Sequence, residues 1–187
     1  MAQKRKDWNG LISGFKASDL VFLDESGCNT DMTRRYAYSL GGSRAVDSAP
    51  LSKPKNTTIL SSIQLDGTLR YTTFSGGTTV ERFKRYLETD LLPHLNGNSV
   101  LIMDNMKSHH AKAVRNLLDS SGVRYIYLPP YSPDLNPIEK LWSKVKSFLR
   151  KFKARTLDAL PNAIQNAFHS VTISDCSGWF RFCGYAL

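Results

Sequence analysis

Residues 128–142 read LPPYSPDLNPIEKLW, which places four of the chain's eight prolines directly before a run of lysines and arginines. Proline fixes φ and removes a backbone donor, so Pro129, Pro130 and Pro133 make this stretch a stiff loop. Pro137 has another role, because Asn136, Pro137, Ile138 and Glu139 fit the N-cap and the first three positions of a helix. From there Ile138, Leu141, Val145, Phe148, Leu149 and Phe152 share one face at 100° steps, while Glu139 lies outside it with Ser143, Lys146 and Arg150. Glu139 has two readings, the acidic half of a capping box or a functional carboxylate at the head of a basic face. The run Lys140, Lys144, Lys146, Arg150, Lys151, Lys153 and Arg155 is either a solvated face or a phosphate-binding one. Seven cations without interleaved acids repel one another, which favours phosphate.

Upstream, two apolar runs deliver an aspartate where a strand is expected to end, FLDES at Asp24 and LIMDN at Asp104. If those strands are neighbours, the carboxylates stand side by side, an arrangement that a cation would stabilise. Either Asp alone is equally a turn-former. Between them RRYAYSL, NTTILSSIQ and TLRYTTFSG read as three further strands, the last two joined at Asp66-Gly67. Thr78–Leu92 carries helical periodicity and stops at Pro93. Helices are expected again over His110–Ser121 and Leu157–Val171, a strand at VRYIYL, and a short helix in the tail. The order describes an α/β fold, a mixed β-sheet flanked by α-helices. Residues 1–19 lack a sustained period and read as a linker remnant or disordered lead, and residues 20–187 as one domain.

The 187 residues carry a formal net charge of +9, which favours a polyanionic partner through counterion release. No apolar run approaches the roughly 18 residues that span a membrane, and the opening MAQKRKDWNG lacks the apolar core of a signal peptide, so a cytoplasmic, nucleoid-associated place is expected. Cys28, Cys176 and Cys183 are an odd number without a CxxC, which argues against a disulfide framework. With His169 they match no common zinc spacing.

FLDESG, LIMDN and above all YLPPYSPDLNPIEKLWSKVK resemble the catalytic domain of DDE-type transposases, in the mariner-like branch that includes many bacterial insertion sequences. Thirty-four residues separate Asp104 from Glu139, a spacing typical of that branch. The resemblance covers about Leu20 to Lys153. It implies a ribonuclease-H-like fold with catalytic, metal-holding Asp24, Asp104 and Glu139. It further implies two Mg2+ ions, with Mn2+ as a substitute, driving in-line phosphoryl transfer that cuts element ends and joins 3′-hydroxyls to target DNA. DNA contacts are expected from Lys140, Lys144, Lys146, Arg150, His110 and Trp142. His110 matches the pattern better than His109, and Trp142 either stacks on a base or packs behind the site. Relatives carry an N-terminal helix-turn-helix, for which the roughly twenty residues before the first strand leave no room here; an upstream frame is therefore expected to supply it as a partner or fusion, or else the chain is a truncated copy. A homodimer is a further expected partner, and a membrane is not. Two other functions fit the same residues, a different ribonuclease-H-like nuclease or an inactive DNA-binding remnant.

Overall fold

The computed structural model describes residues 2–34, 36–48, 50 and 54–185. Five strands form one mixed sheet: β1 (Leu20–Asn29), β2 (Asn56–Gln64), β3 (Leu69–Ser75), β4 (Val100–Met103) and β5 (Arg124–Tyr127). Their order is β3-β2-β1-β4-β5. The first three strands form an antiparallel meander, turning β2 into β3 at Gly67, whose φ of 89° suits glycine. β4 and β5 add in parallel on the far side of β1. Parallel neighbours require crossovers, and the helices provide them.

Alternation along β1 sorts its side chains between two cores. Leu20 and Phe22 face the side covered by α4 (Ile138–Phe152), α5 (Ala159–His169) and α6 (Ile173–Phe182). Val21 and Leu23 face α2 (Val80–Tyr86) and α3 (Lys112–Ser121). Strands buried on both faces read as continuous apolar runs, the pattern of LVFL and VLIM. This is the mixed, helix-flanked, ribonuclease-H-like sheet expected from the sequence.

Local chemistry accounts for the helix ends. Thr79 Oγ1 caps α2 by accepting from Arg82 N at 3.3 Å. The periodic stretch then widens into a π turn over Leu87–Leu91 and closes in a 3₁₀ turn at Pro93. α3 ends at Gly122, in the left-handed region at φ 71°. α6 opens with a Thr172–Asp175 capping box, and Asp175 also accepts from Lys144 Nζ at 2.5 Å, tying α6 to α4. All three cysteines are free and buried; burial pushes each thiol up to about 11, so their role is packing.

Two sequence expectations change. RRYAYSL is not a strand: Arg34 and Tyr36–Leu40 run irregularly and exposed, Arg35 lies outside the described residues, and Asp104 therefore follows the fourth strand rather than the fifth. Its alternating aromatics suit a strand, but β propensity needs a partner, and the five paired strands do not include it. The lead also differs, since Ala2–Ile12 forms a helix, α1. Trp8 is buried at 3% exposure, and Arg5 pairs with Asp134 in the proline-rich loop. One buried indole supplies the anchoring that a periodicity search does not register.

Candidate active site

The β1–β4 register sets the first two carboxylates. Parallel pairing runs from Leu20 opposite Val100 to Leu23 opposite Met103, so Asp24 and Asp104 are the next residue on each neighbouring strand. β4 ends there, whereas β1 continues to Asn29 against β2 alone, with Asp24 opposite Ser61. Asp24 thus lies within a strand and not at its end. The third acid comes from the opposite direction, on the first turn of α4. All three line one cleft of ≈ 590 Å3, together with Glu25, Asn105, Tyr131 and Asn136.

The loop that carries Glu139 there is tied twice at its start. Leu128 N–H donates to Met103 O at 2.8 Å, and Asn105 Nδ2 donates to Leu128 O at 2.5 Å, so the loop leaves directly beside Asp104. It then reverses through Tyr131, a non-glycine residue at φ 55° with an exposed ring on the cleft rim. A 3₁₀ turn over Pro133–Leu135 leads into the extended Asn136, and Pro137 begins the helical backbone. The capping-box reading of Glu139 fails. Asn136 N–H is given to Pro133 O, and the buried Asn136 Oδ1 has no hydrogen-bond partner. Glu139 is instead exposed at the cleft, its carboxylate free of that role.

Asp24 is only 8% exposed. Its Oδ1 accepts from Glu25 N at 2.7 Å and its Oδ2 from Trp142 Nε1 at 3.0 Å. Burial pushes this carboxyl up to about 7, with the charges of Asp104 and Glu139 adding to it, against the two hydrogen bonds. Of its two readings, Trp142 takes the packing one: it is buried behind the site and donates to Asp24. Trp142 follows Glu139 by one turn of α4, so the same helix end brings both to the cleft side of the sheet.

Asp104 is held differently. His109 Nδ1 stands 2.8 Å from Asp104 Oδ1, and Met106 N–H donates to the same oxygen at 3.0 Å. The other ring nitrogen, Nε2, stands 3.2 Å from Glu25 Oε2. His109 is wholly buried, stacked on Phe83 of α2 at 4.2 Å. Burial alone would lower its pKa, but Asp104 and Glu25 outweigh that and raise it to about 9. Burial pushes Asp104 up, yet its hydrogen bonds to His109 and Met106 and the nearby imidazoles leave it below the usual carboxylate range. The two histidines separate: His110 stacks on Tyr127 at 4.1 Å, while His109 reaches the carboxylate. Glu25 and His109 were missed as a unit, since eighty-three residues separate them; the adjacent acids of FLDES were the only trace.

The basic face of α4 is partly consumed internally. Lys144 pairs with Asp175, Lys153 with Asp47, and Lys140 lies 3.9 Å over the Phe182 ring. Lys146 and Arg150 have no acidic partner among the described residues. Of the expected DNA contacts, these two therefore remain uncommitted, whereas Lys140 and Lys144 already have partners within the chain.

A family model described as DDE superfamily endonuclease matches residues 19–161, a span that takes in all three acids and the proline-rich loop. The chain belongs to the DDE superfamily endonucleases. Within this DDE group it is 30% identical over 97 residues to the transposable element Tc1 transposase of Caenorhabditis elegans, half of this chain and 36% of that protein. Its fold matches a pre-cleavage Mos1 transpososome with a TM-score of 0.82 at 19% identity, over 97% of this chain and 58% of that one. The Mos1 mariner paired end complex with Mn matches at 0.80 and 20% identity, over 95% and 57%. The catalytic domain of Mos1 mariner transposase matches at 0.73 and 17% identity, over 96% and 85%. The DDE chain thus spans roughly a third to three fifths of the first of these relatives.

The acids of the DDE cleft offer oxygen ligands only, the donor set of Mg2+ and Mn2+. Glu25 Oε1 and Asn136 Oδ1, both buried and without partners, add uncommitted oxygens beside them. Among the described residues no three His, Cys, Asp or Glu side chains stand close enough to form a closed metal cluster. The expected triad is therefore three acids on one cleft, with Asp24 drawn toward Trp142 and Asp104 toward His109.

Proposed function

We propose that this chain carries the catalytic centre of a DNA transposase, which cuts DNA at element ends and joins the freed 3′-hydroxyls to target DNA. The observation that carries the reading is the convergence of Asp24, Asp104 and Glu139 on one cleft from two neighbouring strands and the head of α4. Asp24, Asp104 and Glu139 would hold Mg2+ or Mn2+. Bound there, two such ions supply an activated oxygen nucleophile and neutralise charge on the leaving oxygen of an in-line displacement. The chain's own part is orientation. Trp142 and the Glu25 N–H fix the two oxygens of Asp24, and His109, itself held by Glu25, fixes Asp104. The rigid loop before Pro137 sets Glu139, where an error of about 1 Å would be costly. Lys146 and Arg150, on the same side of α4 as Glu139, would neutralise backbone phosphates.

The Mn-bound Mos1 paired end complex supports the choice of ion and of transposon-end DNA as substrate. An upstream helix-turn-helix segment, as a separate partner or a fusion, and a paired homodimer would supply sequence recognition and end pairing. The work would take place on the cytoplasmic nucleoid. The test uses the purified chain, alone and fused to an upstream DNA-binding segment, with labelled DNA and Mg2+ or Mn2+. Metal-dependent nicking or joining is expected. Asp104→Asn and Glu139→Gln should each lower it by about 10³-fold, roughly 4 kcal/mol of barrier, while leaving DNA binding intact. Undiminished cleavage in both variants would overturn the assignment.

A further inference from the structure

The described residues between β1 and β2 form no helix or strand, yet they are fastened to the C-terminal end of α4 at two points. Arg155, just past that helix, donates through Nη1 to the carbonyls of Thr30 at 3.3 Å and Met32 at 3.2 Å. Lys153 Nζ stands 2.5 Å from Asp47 Oδ1. Near these ties Arg34 and Tyr36 line an open cleft of ≈ 480 Å3 together with Ser147, Arg150 and Lys151 of α4. None of its three cations has an acidic partner among the described residues. Tyr36 is 89% exposed, so its ring is free to stack.

Three unpaired cations facing one concavity repel each other, and a shared anion removes that cost. Guanidinium groups bind phosphate oxygens in bidentate fashion, the hydroxyl of Ser147 adds a donor, and an open aromatic ring accepts a base. The cleft also lies on the line of the acid site. Arg150 follows Glu139 by eleven residues, and eleven steps of 100° return within about 20° of the same direction, at about 16 Å along the axis. Lys146 falls between them on that line. At about 3.4 Å of rise per nucleotide in a duplex strand, 16 Å is about five nucleotides.

We propose that this cleft is a second DNA subsite, which grips the backbone and stacks a base about five nucleotides from the phosphate held at the acid cleft. The proposal rests on the reading of Asp24, Asp104 and Glu139 as a DNA-processing centre, but its test does not depend on cleavage. The full chain is titrated, in EDTA and at several salt concentrations, against a fluorescein-labelled DNA duplex carrying a single-stranded tail, with anisotropy as the readout. Arg34→Gln, Arg150→Gln and Lys151→Gln should each weaken binding about 3- to 10-fold and lower the slope of log affinity against log salt by about one. Tyr36→Ala should weaken it about 5-fold, and Tyr36→Phe should restore it. Lys6→Gln, which removes an exposed charge from α1, should change neither quantity. Unchanged slopes in the cleft variants, or an equal loss in Lys6→Gln, would overturn the subsite. Failure of metal-dependent nicking with the cleft effects intact would instead refute the catalytic reading and leave the subsite standing.

Discussion

Replacing Asp24 by Asn should make the folded chain more stable at pH 8 while removing its metal-dependent activity. The magnitude follows from burial. Holding the carboxyl at about 7 instead of its ordinary 3.8 means that ionising it in the native state costs about 4 kcal/mol, at roughly 1.4 kcal/mol per pH unit. Asparagine escapes that cost but has one acceptor oxygen, where Asp24 serves both Glu25 N and Trp142 Nε1. One donor loses its partner, at about 1 to 2 kcal/mol, which leaves a net gain of about 2 to 3 kcal/mol. For a chain of this size that is about 4 to 12 °C in Tm. The sign with pH is fixed. Below about 4 the carboxyl is protonated folded or unfolded, and no penalty exists. Between about 4 and 7 the unfolded chain releases a proton that the native state keeps, so wild-type stability falls as pH rises, and above 7 the loss is complete. Urea unfolding in EDTA at pH 4, 6 and 8 measures this, with the wild-type-minus-variant difference isolating Asp24 from His109 and other groups. Saturating Mg2+ should narrow the gap at pH 8, since the native carboxylate then gains a partner. A variant no more stable than wild type at pH 8, with an unaltered difference across the three pH values, would refute the reasoning.

Two further predictions concern neighbours of the site and the frame. His109→Ala should cost about 3 to 5 kcal/mol of stability, because Glu25 and Asp104 lose a buried cationic partner. That contribution is full below about 6.5 and is lost as pH rises through about 9, the raised value of His109. His109→Asn, whose amide can occupy the place of Nδ1, should recover more nicking activity than His109→Gln, whose amide reaches toward Glu25; equal recovery would show that Asp104 does not need the bond. Gly67→Ala should destabilise by about 1 to 3 kcal/mol with nicking unchanged, since φ is 89° and the added Cβ would stand 3.0 Å from Ile173 Cγ1 at the start of α6. Thermal melts beside an activity assay would check it, and an unshifted melt would contradict the turn geometry.

Local rules were enough for much of this protein. The apolar runs of β1 and β4, the helix opened by Pro137 and the basic face behind Glu139 all follow from side-chain period and proline chemistry, which act within a few residues. Those rules also marked Asp24, Asp104 and Glu139 as candidates, each with a turn or cap reading beside it, and the resemblance to DDE-type transposases implied their shared role. The rules misjudged Arg34 and Tyr36–Leu40, where β propensity depends on a partner strand that the described residues do not provide, and residues 2–12, where one buried Trp8 anchors an otherwise aperiodic helix. Only tertiary structure decided the partners of the acids. Trp142 reaches Asp24 across 118 positions, and His109 joins Asp104 to Glu25 across 84, distances in sequence over which no period or spacing carries information. Pairing there depends on the parallel register of two strands and on the packing of α4 against the sheet. The proline-rich loop thus could be read as rigid from its residues alone, whereas the cleft toward which it directs Glu139 exists only once those strands have met.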